Sequence, residues 1–515
     1  MHFVEQSTIN NSSGTIARCD TPMAIGPIQL LRQATPGQRR TLLAAAMGWA
    51  LDAFDTMLYS LVLAMLMRDL GMSKSTAGSL GTLTLLASGI GGVLFGFLAD
   101  RIGRKQALMA SILTYSVCSF ASGLATSIAM LAAMRFILGL GMGGEWNTGA
   151  TLVAESWPTE FRAKAIAIVQ SSWAIGFAAA ALVAGPVSRY YGWRAVFFVG
   201  ILPALVTLWI QRRVPESEMW QERATGAKAP SVASPDRGAE APLFHGRSHR
   251  DSHNDSRTGS GGESLGDSRA GSQSDSQGDP HAGSYGDSSA DGLRKSANTT
   301  SADEKRSQAY GGGSFATIFR PPYVRHTIAL LLFNFFGMFA WWGLFTWLPP
   351  YLSLPVEQGG RGMSVMGMTT LMVVLNLCGM FPGYASFGWV ADHIGRRTAF
   401  RVYSLVAALL IPLYAMARSQ SMLLVVGTLV AFFGTGLFSG SGIMGSEIFP
   451  TAVRARALGL TYNGARTMSS LAPFVIGRVG QTKGLSWAFC LCAVGYLLAA
   501  LMTTQLPETR GKKLE

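Results

Sequence analysis

Charge is what this chain has little of. Only 14% of its 515 residues are Asp, Glu, Lys or Arg, against 49% hydrophobic, where a soluble domain carries about 25% charged residues. Mean hydropathy is positive over the whole length, so the composition excludes an ordinary soluble globule and points to a bilayer. Cysteine is scarce as well. Cys19, Cys118, Cys378, Cys490 and Cys492 are scattered, mostly inside apolar stretches, with neither metal spacing nor a disulfide framework. They read as small apolar residues. No nucleophile–base pair, Walker element or metal-ligand spacing occurs, which argues against an enzyme and leaves no cofactor or metal to expect. The N-terminal stretch to about Gln38 contains no apolar region resembling a cleavable signal. The first apolar segment is therefore expected to act as its own uncleaved insertion signal.

What the chain does have is long apolar segments. A bilayer core of roughly 30 Å requires about 20 mostly apolar residues per helix. Twelve such spans can be read, at 41–67, 78–99, 106–126, 128–152, 164–188 and 193–212, then 324–350, 368–391, 398–418, 421–447, 456–480 and 485–505. The net charge of +13 is placed with a pattern. Arg101, Arg104 and Lys105, then Arg162 and Lys164, Arg396 and Arg397, Arg454 and Arg456 all fall on the side that holds both termini, given an even number of spans. The positive-inside rule makes that side cytoplasmic, and Arg39-Arg40 and Lys512-Lys513 agree. The basic excess is thus a topology signal, and nucleic acid is not expected as a partner.

Between about Arg223 and Ser314 the chain turns rich in Ser, Gly and Asp, with almost no large apolar residues. Such a stretch buries too little surface to offset chain entropy and is expected to be disordered. His245, His249, His253 and His281 lie here, and a solvated tail is favoured over a metal role. The organisation expected is a cytoplasmic tail (1–38), a six-helix half (39–213), a cytoplasmic linker (214–322), a second half (323–506) and a short tail (507–515).

The two halves repeat each other. Gly96 to Lys105 reads G-F-L-A-D-R-I-G-R-K and returns 292 residues later as G-W-V-A-D-H-I-G-R-R, Gly388 to Arg397. The same offset carries Glu155, Pro158, Thr159, Arg162 and Ala163 onto Glu447, Pro450, Thr451, Arg454 and Ala455, and Pro215-Glu216 onto Pro507-Glu508. A constant offset over three patches means duplication of one unit, and in apolar segments that architecture is a transporter's. In the repeated loop, glycine at each end permits a tight turn and close helix approach, and Asp100 or Asp392 can pair with the following arginines.

The G-x-x-x-D-x-x-G-R-[KR] loop in both copies resembles the signature loop of the major facilitator superfamily. Arg135 with Gly139 and Gly141 resembles another element of that superfamily, and Pro215-Glu216-Ser217 and P-E-T-R-G (507–511) resemble sugar-porter punctuation. The resemblance covers all twelve spans. It implies an all-α membrane protein of twelve transmembrane helices in two pseudo-symmetric six-helix halves. It also implies that Gly96, Asp100, Gly103, Arg104, Glu155 and Arg162, with Gly388, Asp392, Gly395, Arg396, Glu447 and Arg454, form cytoplasmic gates that hold the outward-facing state. The competing reading is simple anchoring of helix ends.

Where the halves disagree, transport chemistry is sought. Span 1 reads W-A-L-D-A-F-D-T, whereas the positions equivalent to Asp52 and Asp55 are Leu344 and Trp347. A carboxylate at the bilayer centre costs roughly 2.5–3.5 kcal/mol on insertion scales, so it faces water and has a job. The i, i+3 spacing places both on one helix face, and Asp55 lies about 21 Å along its helix at 1.5 Å per residue. Arg135, entering span 4 from the opposite side, reaches a comparable depth and can hold a carboxylate ionised until a proton releases it. A static buried ion pair is the alternative; between the two acids the reading leans to Asp55. Arg466 falls about 15 Å into span 11 without an acid in its own span, and its planar fork suits a carboxylate. Pairing with Asp52 or Glu145 is its alternative, and Glu145 itself reads as proton site, arginine partner or hydroxyl acceptor.

The D-A-F-D run, with G-M-G-G-E-W-N (141–147) and E-S-W-P (155–158), resembles the sialate and carboxylate proton-symporter branch, to which aromatic-acid symporters are related. That resemblance implies proton-coupled symport of a small organic anion by a monomer in the inner (plasma) membrane, needing only the anion, protons and bilayer. Asp52, Asp55, Arg135 and Glu145 are expected to couple protons. Arg466, Asn334, Gln170, Asn376, Trp341 and Trp342 are expected to bind substrate, with Trp146, Trp173 and Trp347 as further aromatics. Rival readings are a sugar or polyol carrier and a non-transporting sensor whose linker recruits partners.

Overall fold

A computed structural model describes Arg32 and residues 34–224 and 315–510. The Ser/Gly/Asp-rich linker with its four histidines, Cys19 with most of the N-terminal tail, and residues 511–515 lie outside the described residues. The described chain is helical. Its first half comprises α1 (Pro36–Asp69), α2 (Lys74–Ile102), α3 (Arg104–Ser122), α4 (Ile128–Ser156), α5 (Thr159–Val199) and α6 (Pro203–Arg213), followed by a short α7 (Glu218–Ala224). The second half comprises α8 (Val324–Ser353), α9 (Val365–Val374), α10 (Phe381–Ile394), α11 (Arg396–Met416), α12 (Gln420–Ile448), α13 (Thr451–Leu458), α14 (Ala465–Ser469), α15 (Ala472–Lys483) and α16 (Leu485–Met502).

Local sequence sets the boundaries. Thr35 caps α1 in a reciprocal box, accepting from the Gln38 amide at 3.2 Å while its own amide donates to the Gln38 side chain at 2.9 Å, which satisfies two otherwise orphaned N–H groups. Ser127 and Ser419, one repeat offset apart, cap α4 and α12 by accepting from the Met130 and Met422 amides. Nine helical runs among the described residues are long and apolar enough to cross a bilayer. The three further spans read from sequence are accounted for locally. Spans 5 and 6 form one run, Lys164–Arg213, interrupted at Gly192 with φ +76°. Span 3 is α3, which opens on Arg104-Lys105-Gln106 and is rich in hydroxyls. Span 11 is broken into α13, a π turn (Gly459–Gly464), α14 and α15.

Glycine lets the helices pack closely. Between α2 and α4, a Cβ on Gly143 would lie 1.9 Å from the Ser88 carbonyl oxygen, so only hydrogen fits there. The halves meet at the end of α2 remote from the signature loop. Lys74 Nζ donates to the Gln358 carbonyl at 2.7 Å, the Ser75 amide to the Gln481 side chain at 3.1 Å, and the Phe474 amide to Thr82 Oγ1 at 3.2 Å. A Cβ on Gly78 would lie 2.4 Å from the Pro473 carbonyl oxygen. This end is closed.

Candidate functional site

A cavity of about 400 Å³ of empty space, its open mouth included, lies between the halves. Trp49 of α1 and Gln170 and Trp173 of α5 form one wall; Met338, Trp341 and Trp342 of α8, Tyr384 of α10, Phe438 of α12, Tyr462 and Arg466 form the other. Both wall segments from span 11 follow from its broken helix: the π turn presents Tyr462 and hands on to α14, which carries Arg466. Such π turns recur at functional sites because they re-aim one side chain without ending the helix.

The tryptophans touch as a continuous cage. Trp49 lies 4.6 Å from Trp146 and 4.7 Å from Trp173, centroid to centroid; Trp173 lies 6.0 Å from both Trp341 and Trp342, edge-on. Arg466 is only 8% exposed, with its guanidinium carbon 5.8 Å from the Trp49 ring. Among the described residues nothing accepts a hydrogen bond from Arg466 Nε or Nη2, from Trp49 Nε1 or from Trp173 Nε1, and nothing donates to Gln170 Oε1. Buried polar groups are ordinarily satisfied. The cavity is therefore rich in unused donors.

Beside it stand the buried acids. Asp52, Asp55 and Glu145 are each no more than 1% exposed. Asp52 links the other two, acting electrostatically on both Asp55 and Glu145. Asp52 and Glu145 are electrostatic neighbours of each other and of Arg466, and Glu145 packs on Gly48, one turn before Asp52, where a Cβ would lie 2.4 Å from Oε1. Neither Asp52 oxygen nor Glu145 Oε2 has a hydrogen-bond partner among the described residues. Asp55 instead accepts from Ser119 Oγ at 3.0 Å and interacts electrostatically with Arg135. The Arg135 guanidinium lies 4.4 Å over the Tyr59 ring; no ion pair within 4.0 Å joins it to Asp55 among the described residues. In the second copy Trp347, at the position equivalent to Asp55, donates from Nε1 to the Pro473 carbonyl at 2.8 Å.

The repeated loops form matching clasps. Arg104 pairs with Asp100 at 2.8 Å and with Glu155 at 3.2 Å; Arg396 pairs with Asp392, and with Glu447 at 3.4 Å. Ser217 Oγ donates to Glu155 and Thr509 Oγ1 to Glu447 at 2.5 Å, while the Arg104 and Arg396 amides donate to Glu216 and Glu508. Gly103 and Gly395 make the turns, with φ +106° and +95°, values open to glycine. Arg162 and Arg454 donate to the Trp157 and Phe449 carbonyls at 3.4 and 3.1 Å. Each clasp stays within its own half. The close helix approach expected at Gly96 and Gly388 is absent, since a Cβ at either meets nothing within 4 Å.

Of the residues expected to bind substrate, the structure gathers Arg466, Gln170, Trp341 and Trp342 at the cavity. Asn334 and Asn376 are not among its lining residues. Asn334 Nδ2 donates to the Thr461 carbonyl at 3.0 Å and its oxygen accepts from Ser441 at 2.6 Å, so its amide is spent joining helices. Asn376 donates back to the Met372 carbonyl at 2.8 Å. Sequence reasoning missed Trp49, Met338, Tyr384, Phe438 and Tyr462. The i, i+3 relation of Trp49 to Asp52 was the available signal; the π turn that aims Tyr462 leaves none.

Comparison with known proteins agrees with this architecture. The model of the Major Facilitator Superfamily matches residues 45–385 and 362–514. The sialic acid transporter NanX of Escherichia coli is 29% identical over 485 residues, 92% of this chain and 96% of its own length. A probable 4-methylmuconolactone transporter of Cupriavidus pinatubonensis is 29% identical over 491 residues, 94% of each. Among solved structures, a D-xylose-proton symporter is similar with a TM-score of 0.62 at 18% identity, covering 92% of this chain and 99% of its own. At that identity the likeness concerns the fold.

Proposed function

The chain belongs to the Major Facilitator Superfamily, and we propose that it is a secondary active symporter that carries a small organic carboxylate with protons across the plasma membrane. Membership makes it a multi-pass membrane transporter and not an enzyme. Its relatives lie in the aromatic-acid and carboxylate branch. The observation that carries the substrate reading is Arg466: a buried guanidinium on the cavity wall with two unused N–H groups. A planar fork of that kind matches a carboxylate in two parallel hydrogen bonds.

The coupling follows from what else faces Arg466. While Asp52 and Glu145 are ionised, they compete with a substrate carboxylate for the same guanidinium. A proton on either acid weakens that competition, so anion and proton load together. Release of the proton to the other side restores the acids' hold on Arg466 and expels the anion. Asp55 and Arg135, which Asp52 joins electrostatically to the first group, adjust the helix contact between α1 and α4. With the signature loops cytoplasmic and the opposite end closed, the described conformation admits substrate from the cytoplasm. The clasps at Glu155 and Glu447 then act as gates by rearranging between halves in the other conformation.

Proteoliposomes test this reading. Under an imposed proton gradient, wild-type protein accumulates a labelled carboxylate such as benzoate, and Arg466→Ala loses binding and accumulation together. Accumulation of a neutral sugar but of no carboxylate removes the proposal.

A further inference from the structure

Within the cage, Gln170 and Trp173 form a unit that the carboxylate reading leaves unused. They stand three residues apart on α5 and so share one face of that helix. Both side chains are more than nine-tenths buried, line the cavity, and carry one unused polar atom each: the acceptor Gln170 Oε1 and the donor Trp173 Nε1. Tyr462 of the opposite half interacts with the Gln170 side chain, and Gln170 Oε1 is left without a donor among the described residues. A donor beside an acceptor is the complement of a hydroxyl, which gives one proton and accepts another. The surrounding wall is dominated by indole, phenyl, phenol and thioether groups, surfaces that stack on a flat ring.

We infer that the Gln170–Trp173 pair selects flat, ring-bearing carboxylates that carry a ring hydroxyl, in preference to unsubstituted and to polyhydroxylated acids. This rests on the carboxylate reading of Arg466 above. The hydroxyl donates to Gln170 Oε1 and accepts from Trp173 Nε1 while the ring lies against Trp341 and Trp342. An acid without the hydroxyl leaves both groups buried and unpaired. A site built to bond a hydroxyl discriminates strongly against the analogue lacking it, because the unpaired groups carry the penalty. A polyol acid meets the opposite fault, burying several hydroxyls against a wall made mostly of aromatic rings.

The test is a binding cycle on the purified full chain. Affinities of benzoate, the three monohydroxybenzoates and gluconate are measured by quenching of tryptophan fluorescence and by calorimetry, for wild type, Gln170→Met and Trp173→Phe. The inference requires that at least one hydroxybenzoate bind the wild type roughly tenfold or more tightly than benzoate. It also requires that this preference shrink to within about twofold in both variants. Trp173→Phe retains a ring, so it separates the N–H from packing, and a wild-type thermal unfolding midpoint certifies that each variant is folded. Equal affinity for benzoate and every hydroxybenzoate, a preference that survives both substitutions, or tighter binding of gluconate overturns the inference and leaves the carboxylate reading standing. Failure of every carboxylate to bind the wild type overturns that reading instead.

Discussion

Replacing Gly78 by alanine should loosen the closed end of the protein. The added methyl would lie 2.4 Å from the Pro473 carbonyl oxygen and 2.9 Å from the Phe474 Cα. Both are backbone atoms, so no side-chain rotation relieves the clash and α2 must move away from α15. Overpacking of this kind costs about 1–3 kcal/mol, a shift of about 5- to 150-fold against the closed-end conformation. The hydrogen bonds from Lys74 to Gln358 and from Ser75 to Gln481 then lose their geometry as well. Spin labels at Ser79 and Thr482, exposed positions on the two facing helices, report the separation by pulsed distance measurement. The expected result is a new longer-distance population in Gly78→Ala and slowed uptake. Gly96→Ala serves as the control, because a Cβ there meets nothing within 4 Å. A distance distribution and uptake rate in Gly78→Ala identical to wild type would refute the claim that this contact is the closure.

Four further outcomes are expected. Asp52→Asn abolishes proton-driven accumulation and spares exchange of substrate across an equal pH, measured as counterflow. Arg104→Ala lowers the melting temperature more than Arg396→Ala, since Arg104 has 6% of its side chain exposed and Arg396 16%, and removing one partner of a buried pair costs about 3–5 kcal/mol. Asn334→Leu strands the Thr461 carbonyl and the Ser441 hydroxyl and destabilises by about 1–3 kcal/mol without a matching loss of carboxylate affinity. Deleting residues 225–312 leaves uptake intact; a loss of transport would point to a role for the linker.

Much of the architecture was legible because membrane helices announce themselves by composition and this chain states its plan twice. The 292-residue offset that links Arg104 to Arg396 also links Glu155 to Glu447, and these residues pair as matching clasps. The site was legible only through its anomalies. Asp52, Glu145 and Arg466 stood out as charges in apolar runs, and the structure places them as neighbours. The aromatic cage was largely hidden. A tryptophan facing a cavity and one facing lipid are the same letter in an apolar helix: Trp173 lines the cavity, whereas Trp389 is 67% exposed. Only helix rotation separates them. Asn334 and Asn376 misled for the converse reason, since a polar residue in a span has helix partners available as well as substrate. Span 11 is broken at a π turn bounded by Gly459 and Gly464 and again just before Pro473, so the aim of Tyr462 and Arg466 had no counterpart in regular helical periodicity.

The central claim is that a carboxylate and a proton move together because both answer to Arg466. Its most direct test is substrate-induced proton flux in proteoliposomes, followed with an entrapped pH dye without any imposed gradient. Coupling through Arg466 predicts that adding a hydroxybenzoate acidifies the interior of wild-type vesicles, and that neither Arg466→Ala nor Asp52→Asn produces the signal. An unchanged signal in Arg466→Ala, or a signal evoked by a neutral sugar and by no carboxylate, would contradict it.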